Sequence, residues 1–569
     1  MPRLDRWALS IGLVVLAGCA EADNQSPHPG SGGQGGSTGV GGSAGASGST
    51  ATGTGTSQGG STRSGGASAT NSSSATGGSS GSSGGATKSG GTNAISSSTT
   101  TAGSSGSGGG ASVGGSSGSG GALPAGATSG GSTTGGTTSG GGSSATGGSR
   151  QPDAGNADGA DAQRADGSPA SDAGGCKGST PAQAPSGVTP FRAIDGFVTR
   201  NGSTLSLCGQ PFQVLGANLY YLQSYSVYEA GNLRTVADGL DDAVRMSLPV
   251  VRTWAFNEGA TTNDSAIIRT APGSYNEKAL VGLDTAVAEA KKRGIRLILV
   301  LTNYWADYGG LPRYAQWAGL SSSATDLTAG QAFYTNTTMQ GYFKDYATML
   351  SKRTNTVTGI AYKDEPAILA WEIANEFRCP TCGGSSKLLA AIDALSQFLK
   401  SLFPNHLIAD GGEGFDDTPS NWGTLSNDYP VAGSEGASYT GLVKLSAIDM
   451  ASYHYYPSGW GMDITSAASA DSDGQTWIDG HQALAKAAGK VAYWGEFGLQ
   501  VGASDSVRAP IYDSWLGTFF GANDNGPLAT FWQLVPASRG ADDGYACILG
   551  RDPATVAAFE KYSVSRAPR

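Results

Sequence analysis

The chain has 569 residues, 91 of them glycine, and its 35 basic against 45 acidic side chains leave a net charge of −10. That length exceeds one ordinary core, so more than one region is expected. The acidic balance argues against a nucleic-acid partner, and four histidines are too few for a His-rich metal tract.

In chain order, Arg3 and Arg6 precede the apolar run from Trp7 to Leu16, followed by Leu16-Ala17-Gly18-Cys19. The run is too short to span a bilayer but suits the core of a signal peptide over residues 1–18. The last four residues resemble a bacterial lipobox, in which Cys19 is acylated and becomes the mature first residue. A plain signal peptide with an incidental cysteine is the alternative. Ala20 follows where an inner-membrane retention signal would have Asp, so the expected location is extracytoplasmic, at the outer membrane or cell surface, with no membrane contact beyond the lipid.

From Asn24 to Gly175 the chain is almost entirely Gly, Ser, Thr and Ala. Such a stretch cannot bury enough apolar surface to offset the entropy of ordering it, so residues 19–188 are expected to be a disordered linker. A collagen-like rod would need a strict period and abundant proline, and neither is present. A flexible Gly/Ser tether of about 150 residues has a root-mean-square span of roughly 65 Å, which suits a substrate too large to be brought inside.

Composition changes at Thr189, and residues 189–569 look globular. The stretch F-V-T-R-N-G-S-T-L-S-L-C-G-Q-P-F reads as a β-hairpin with turns at Asn201-Gly202 and Cys208-Gly209, placed to plug a barrel floor. Eight short apolar runs follow: 212–218, 250–255, 296–302, 368–375, 407–410, 448–454, 491–496 and 529–534. Runs such as R-L-I-L-V-L-T are continuous rather than alternating, as in parallel strands buried on both faces. The stretches between them carry helical periodicity, so the predicted fold is a (β/α)8 TIM barrel. An open doubly wound sheet is the alternative, but no Gly-rich phosphate fingerprint follows the first strand.

Cys379 and Cys382 form C-P-T-C. Without a second CxxC or a thioredoxin-like context, a local disulfide is the preferred reading over zinc or redox chemistry. Cys176 is paired with Cys208 by expectation, leaving Cys547 buried and free.

In a TIM barrel the active site lies at the C-terminal ends of the strands. Those positions carry Arg252, Asn303, Trp305, Asn375, Glu376, Asp410, His454, Tyr456, Glu496 and Trp532. Two glutamates on different strands, ringed by aromatics, suit glycoside hydrolysis: one protonates the departing oxygen and the other attacks the anomeric carbon. Glu372, four residues before Glu376, would face the same way on a regular strand and is given a structural role. Glu376 is expected to have a raised pKa and Glu496 to stay ionised beside Arg252. The chemistry needs no metal and no cofactor.

W-E-I-A-N-E-F-R-C around Glu376 resembles the acid/base segment of glycoside hydrolase family 5, especially its fungal- and plant-type endo-β-1,4-mannanases. Y-K-D-E-P-A-I-L-A, N-Y-W-A-D-Y-G-G, R-T-W-A-F-N, H-Y-Y-P, W-G-E-F-G and F-W-Q-L are similar to that group, in barrel order across residues 191–569. The resemblance implies a retaining endo-β-1,4-mannanase with Glu376 as acid/base and Glu496 as nucleophile. It implies that Asn375 holds the sugar 2-hydroxyl, and that Arg252 and Tyr456 hydrogen-bond the nucleophile. His454 would line the reacting-sugar subsite, Trp532 would be its floor, and Arg378 would contact the leaving-group side. Asn303 and Trp305 belong to the N-Y-W-A-D-Y-G-G segment, Trp305 as an apolar platform. Phe377 stands where the family has proline. The expected partner is a β-mannan, met by a monomer. Another β-glycosidase on the same barrel, or an inactive carbohydrate-binding lipoprotein, are the alternatives.

Overall fold

The computed structural model describes residues 180–260, 264–462, 466–500, 504–521, 526–540 and 543–569. Cys19, Cys176 and the linker up to residue 179 lie outside the described residues. Eight parallel strands close into a barrel: β1 Val214–Asn218, β2 Val250–Trp254, β3 Arg296–Val300, β4 Ile368–Glu372, β5 Leu407–Ala409, β6 Met450–Tyr455, β7 Val491–Phe497 and β8 Leu528–Phe531. Each pairs with its sequence neighbours, and β8 pairs with β1 to close the ring. Nearly all of their residues are buried, which explains the continuous apolar runs. All eight strands fall within or beside the runs read from the sequence, so the (β/α)8 expectation holds.

The intervening helices form where their sequences predict. Glu277–Lys292 starts at Asn276, whose side chain accepts from the Lys278 N–H, and ends before Gly294, which has φ +74°. Its buried positions, among them Ala279, Leu280, Leu283, Ala286, Val287 and Ala290, make the stripe that faces the barrel. No helix among the described residues is long and apolar enough to cross a membrane.

Two details differ from the sequence reading. The leader is a three-stranded antiparallel sheet, Val198–Asn201, Thr204–Leu207 and Gln210–Pro211, rather than one hairpin, because the Cys208-Gly209 turn returns the chain for two more paired residues. It does plug the barrel floor: Val198, Leu205, Leu207 and Phe212 share a core with Val250, Ile298, Leu369 and Tyr493. The segment 180–188, assigned to the linker by composition, already pairs with the folded part. Pro181 bridges Arg192, and the Gln183 N–H donates to the Lys292 carbonyl at 2.8 Å.

Three of the described cysteines stand as expected, and the pairing of Cys208 with Cys176 lies outside the described residues. Cys379 and Cys382 are bonded to each other, Cys547 is free and buried, and Cys208 is disulfide-bonded.

Candidate active site

The C-terminal ends of the strands converge on Arg252, which rises from β2 and is fully buried. Its Nη1 donates to Glu496 Oε1 at 2.5 Å and to Asn218 Oδ1 at 3.1 Å. Its Nη2 donates to Glu372 Oε1 at 2.6 Å and to Asn375 Oδ1 at 2.7 Å. Nε lies 3.1 Å from both Glu372 oxygens. One guanidinium therefore orders four side chains from three strand ends. Burial disfavours its charge, but Glu372 and Glu496 more than restore it and raise its pKa above the usual value.

Glu496 is aimed by a local irregularity. Tyr453 pairs with Trp494 but His454 pairs with Glu496, so Gly495 is an extra, unpaired residue on β7. A Cβ there would come within 2.8 Å of Ser452 Oγ and 3.0 Å of His454 Nε2, so any larger residue would have to push those side chains aside. The freed Gly495 carbonyl accepts from Asn218 Nδ2 at 3.0 Å and Thr530 Oγ1 at 2.6 Å. Tyr456 Oη donates to Glu496 Oε2 at 2.7 Å, so the two carboxylate oxygens are hydrogen-bonded by different partners, Arg252 and Tyr456.

Glu376 reaches the cleft differently. β4 stops at Glu372, and Glu376 follows in the left-handed region at φ 52°. A non-glycine residue held there is strained, and it is pinned by its own N–H donating to the Gly411 carbonyl at 2.8 Å. The strand-period argument that Glu372 and Glu376 share a face therefore fails on its premise, since the strand does not continue. Trp305 Nε1 donates to Glu376 Oε2 at 2.6 Å, and His454 Nδ1 lies 3.0 Å from Oε1.

One oxygen of Glu376, one of Glu496 and a ring nitrogen of His454 lie within 4.8 Å of one another. Such proximity suits the close carboxyl pair of a retaining glycosidase, where the second carboxylate itself attacks, better than the wider pair that leaves room for an attacking water. The same three atoms make a group with metal-ligand spacing. However, Glu496 is already held by Arg252 and Tyr456, and Glu376 by Trp305, so an ion would have to displace fixed donors and share its ligand with a guanidinium.

Burial raises Glu376, but the hydrogen bond and charge of His454, the charge of Arg378 and the Trp305 N–H outweigh it and hold the carboxyl below the usual glutamate range. In Glu496 burial is the largest influence, and it lifts the carboxyl above its usual value although His454, Arg252 and Tyr456 pull it down. The expectation from the sequence is the reverse. Glu376 has His454 at 3.0 Å as well as Arg378 and Trp305 to favour its charged form. His454 is 3.8 Å from Glu496, and the charge of Glu376 works against ionising that carboxyl. Since the charge of Glu376 raises Glu496, the two titrations are coupled.

The strand ends surround an open cleft. Asn303, Trp305, Asn375, Glu376, Tyr456, Glu496 and Trp532 line it, as the sequence predicts. Asn375 Nδ2 donates to Asn303 Oδ1 at 3.2 Å, which with Arg252 fixes the amide's orientation. His454 is fully buried behind the two glutamates. Arg378 and Asp410 are not among the lining residues. Arg378 gives Nε and Nη2 to Glu413 at 2.6 Å each and stacks over Trp305, 5.0 Å from its ring centre. Asp410 accepts from the Ser452 and Gly412 N–H groups at 2.7 and 2.9 Å in a separate buried pocket, where burial pushes it up to about 8.

Sequence reasoning missed several wall residues: Tyr220, Trp254, Tyr308, Asp543 and Tyr545. Asn218 and Trp254 close β1 and β2, so the strand-end rule could have found both. Tyr220 stacks parallel to Trp532 at 5.4 Å and extends its platform. Asp543 accepts from Trp532 Nε1 and, at 2.9 Å, from Gln533 Nε2, fixing the platform from the last loop, where no motif announces it.

The family described as GH family 5 beta-mannosidase-like matches residues 195–520. A putative mannan endo-1,4-beta-mannosidase 4 from Arabidopsis thaliana is 35% identical over 354 residues, covering 60% of this chain and 80% of that protein. Mannan endo-1,4-beta-mannosidase 4 from Solanum lycopersicum is 33% identical over 376 residues, 64% of this chain and 91% of that protein. The crystal structure of the endo-1,4-beta-mannanase from Rhizomucor miehei has a TM-score of 0.57 and 30% identity, covering 66% of this chain and all (100%) of that one.

Proposed function

This chain belongs to the glycoside hydrolase family 5 β-mannosidase-like family, and we propose that it cleaves internal β-1,4-mannosidic bonds by double displacement at Glu376 and Glu496. The observation that carries the reading is the short separation of two buried carboxylates held by different donor sets, in a cleft walled by Trp305, Trp532 and Tyr220. In the first step Glu496 attacks the anomeric carbon while Glu376 gives its proton to the departing oxygen. In the second, Glu376 takes a proton from water, and that water releases the sugar from Glu496. Arg252 and Tyr456 keep the Glu496 oxygens aimed, and Asn375, fixed by Arg252 and Asn303, is placed to meet the sugar 2-hydroxyl. Trp532 and Tyr220 offer a flat apolar surface to the sugar face.

The plant and fungal relatives carry mannan-cleaving names, which supports mannan, glucomannan or galactomannan as substrate here. A wrong sugar that leaves one buried hydrogen bond unmade loses on the order of 1–3 kcal/mol, or roughly tenfold to a hundredfold in rate. In a polysaccharide panel with product analysis, mannans should yield short oligosaccharides while cellulose and xylan are cut at least about tenfold more slowly. Equal rates on xylan or cellulose would overturn the substrate and leave the two-glutamate chemistry standing.

A further inference from the structure

Glu372 makes no contact with the cleft, yet it takes the larger share of the arginine that orients the nucleophile. Both Arg252 and Glu372 side chains are 0% exposed. Three of the guanidinium's contacts go to Glu372, at 2.6, 3.1 and 3.1 Å, and one goes to Glu496, at 2.5 Å. The carboxylate fits because Gly411 stands beside it: a Cβ on that residue, at φ +86°, would lie 2.5 Å from Glu372 Oε1. We propose that Glu372 is a positioning residue for the nucleophile, holding Arg252 in place and drawing off part of its positive charge, so that Arg252 aims Glu496 without fully neutralising it. The proposal rests on Glu496 being the nucleophile.

The charge balance gives the sign. Glu496 is faced by Arg252, by His454 at 3.8 Å, by the Tyr456 hydroxyl at 2.7 Å and by Glu376. Glu372 is faced by Arg252, and Tyr493 and Asp410 feel its charge. With Glu372 present, one arginine serves two carboxylates. Replacing it by Gln leaves the arginine's full charge to Glu496, which favours the ionised form and lowers that carboxyl's pKa. Glu496 then stays ionised to lower pH but attacks less strongly.

A 2-deoxy-2-fluoro-β-mannobiosyl fluoride isolates this step. Glu496 bonds to the anomeric carbon, the carbon–fluorine bond breaks, and fluoride leaves with its electron pair and needs no proton. In the wild type the label should sit on the peptide containing Glu496; a label elsewhere overturns the nucleophile assignment itself. For Glu372→Gln the plateau rate of labelling should fall at least about tenfold, and the acid limb of its pH profile should move down by about one unit. Glu372→Asp, whose shorter reach loosens its hold on Arg252, should move the limb the same way by less, and it carries the test if the Gln variant does not fold. A slower rate with an unmoved limb in either folded variant would mean that Glu372 only props the site, and would overturn the proposal.

Discussion

Glu496→Ala should abolish turnover on every substrate, by on the order of 10⁴-fold or more in kcat, because no glycosyl-enzyme can form. A loss of that size corresponds to more than about 5 kcal/mol of transition-state stabilisation. The fold should survive, since Arg252 keeps Glu372, Asn375 and Asn218 as partners when Glu496 is removed. Circular dichroism alongside kcat on mannohexaose separates the two effects. A folded variant that retains more than a hundredth of wild-type kcat would remove Glu496 from the nucleophile's role.

Glu376→Ala should behave differently, and the contrast is diagnostic. On mannan, where the departing oxygen needs a proton, the loss should be about 10²- to 10⁴-fold, the usual worth of a positioned general acid. On an aryl mannoside with an acidic phenol as leaving group, formation of the glycosyl-enzyme should be nearly unimpaired. The second step then becomes limiting, because no base activates water. Azide, an anion that needs no base, should restore turnover there and give a β-mannosyl azide. Equal losses on both substrates, with no azide effect, would mean that Glu376 serves the site without transferring a proton.

The sequence shows the architecture well because parallel barrel strands are buried on both faces and so read as unbroken apolar runs. Glu376 and Glu496 are legible for a related reason: each closes such a run beside aromatics, where a solvated loop glutamate would be out of place. What the sequence hides is tertiary. The role of Glu372 depends on β4 ending at that residue and on the left-handed turn at Glu376, neither of which periodicity encodes. The opposite pKa directions of the pair depend on neighbours, His454 among them, that join two glutamates 120 residues apart. Arg378 lies in the segment around Glu376, yet Glu413, 35 positions away, holds it against Trp305. The hold of Asp543 on Trp532 joins a loop residue to a strand-end residue, and nothing local marks it.

The stereochemistry of mannohexaose cleavage tests the account most directly. The reaction, followed by proton NMR from its first minutes, should show the β-anomer of internally cleaved products before mutarotation, since two displacements at carboxylates this close restore the configuration. Products that first accumulate as the α-anomer would mean a single displacement by water and would contradict the double-displacement mechanism at Glu376 and Glu496.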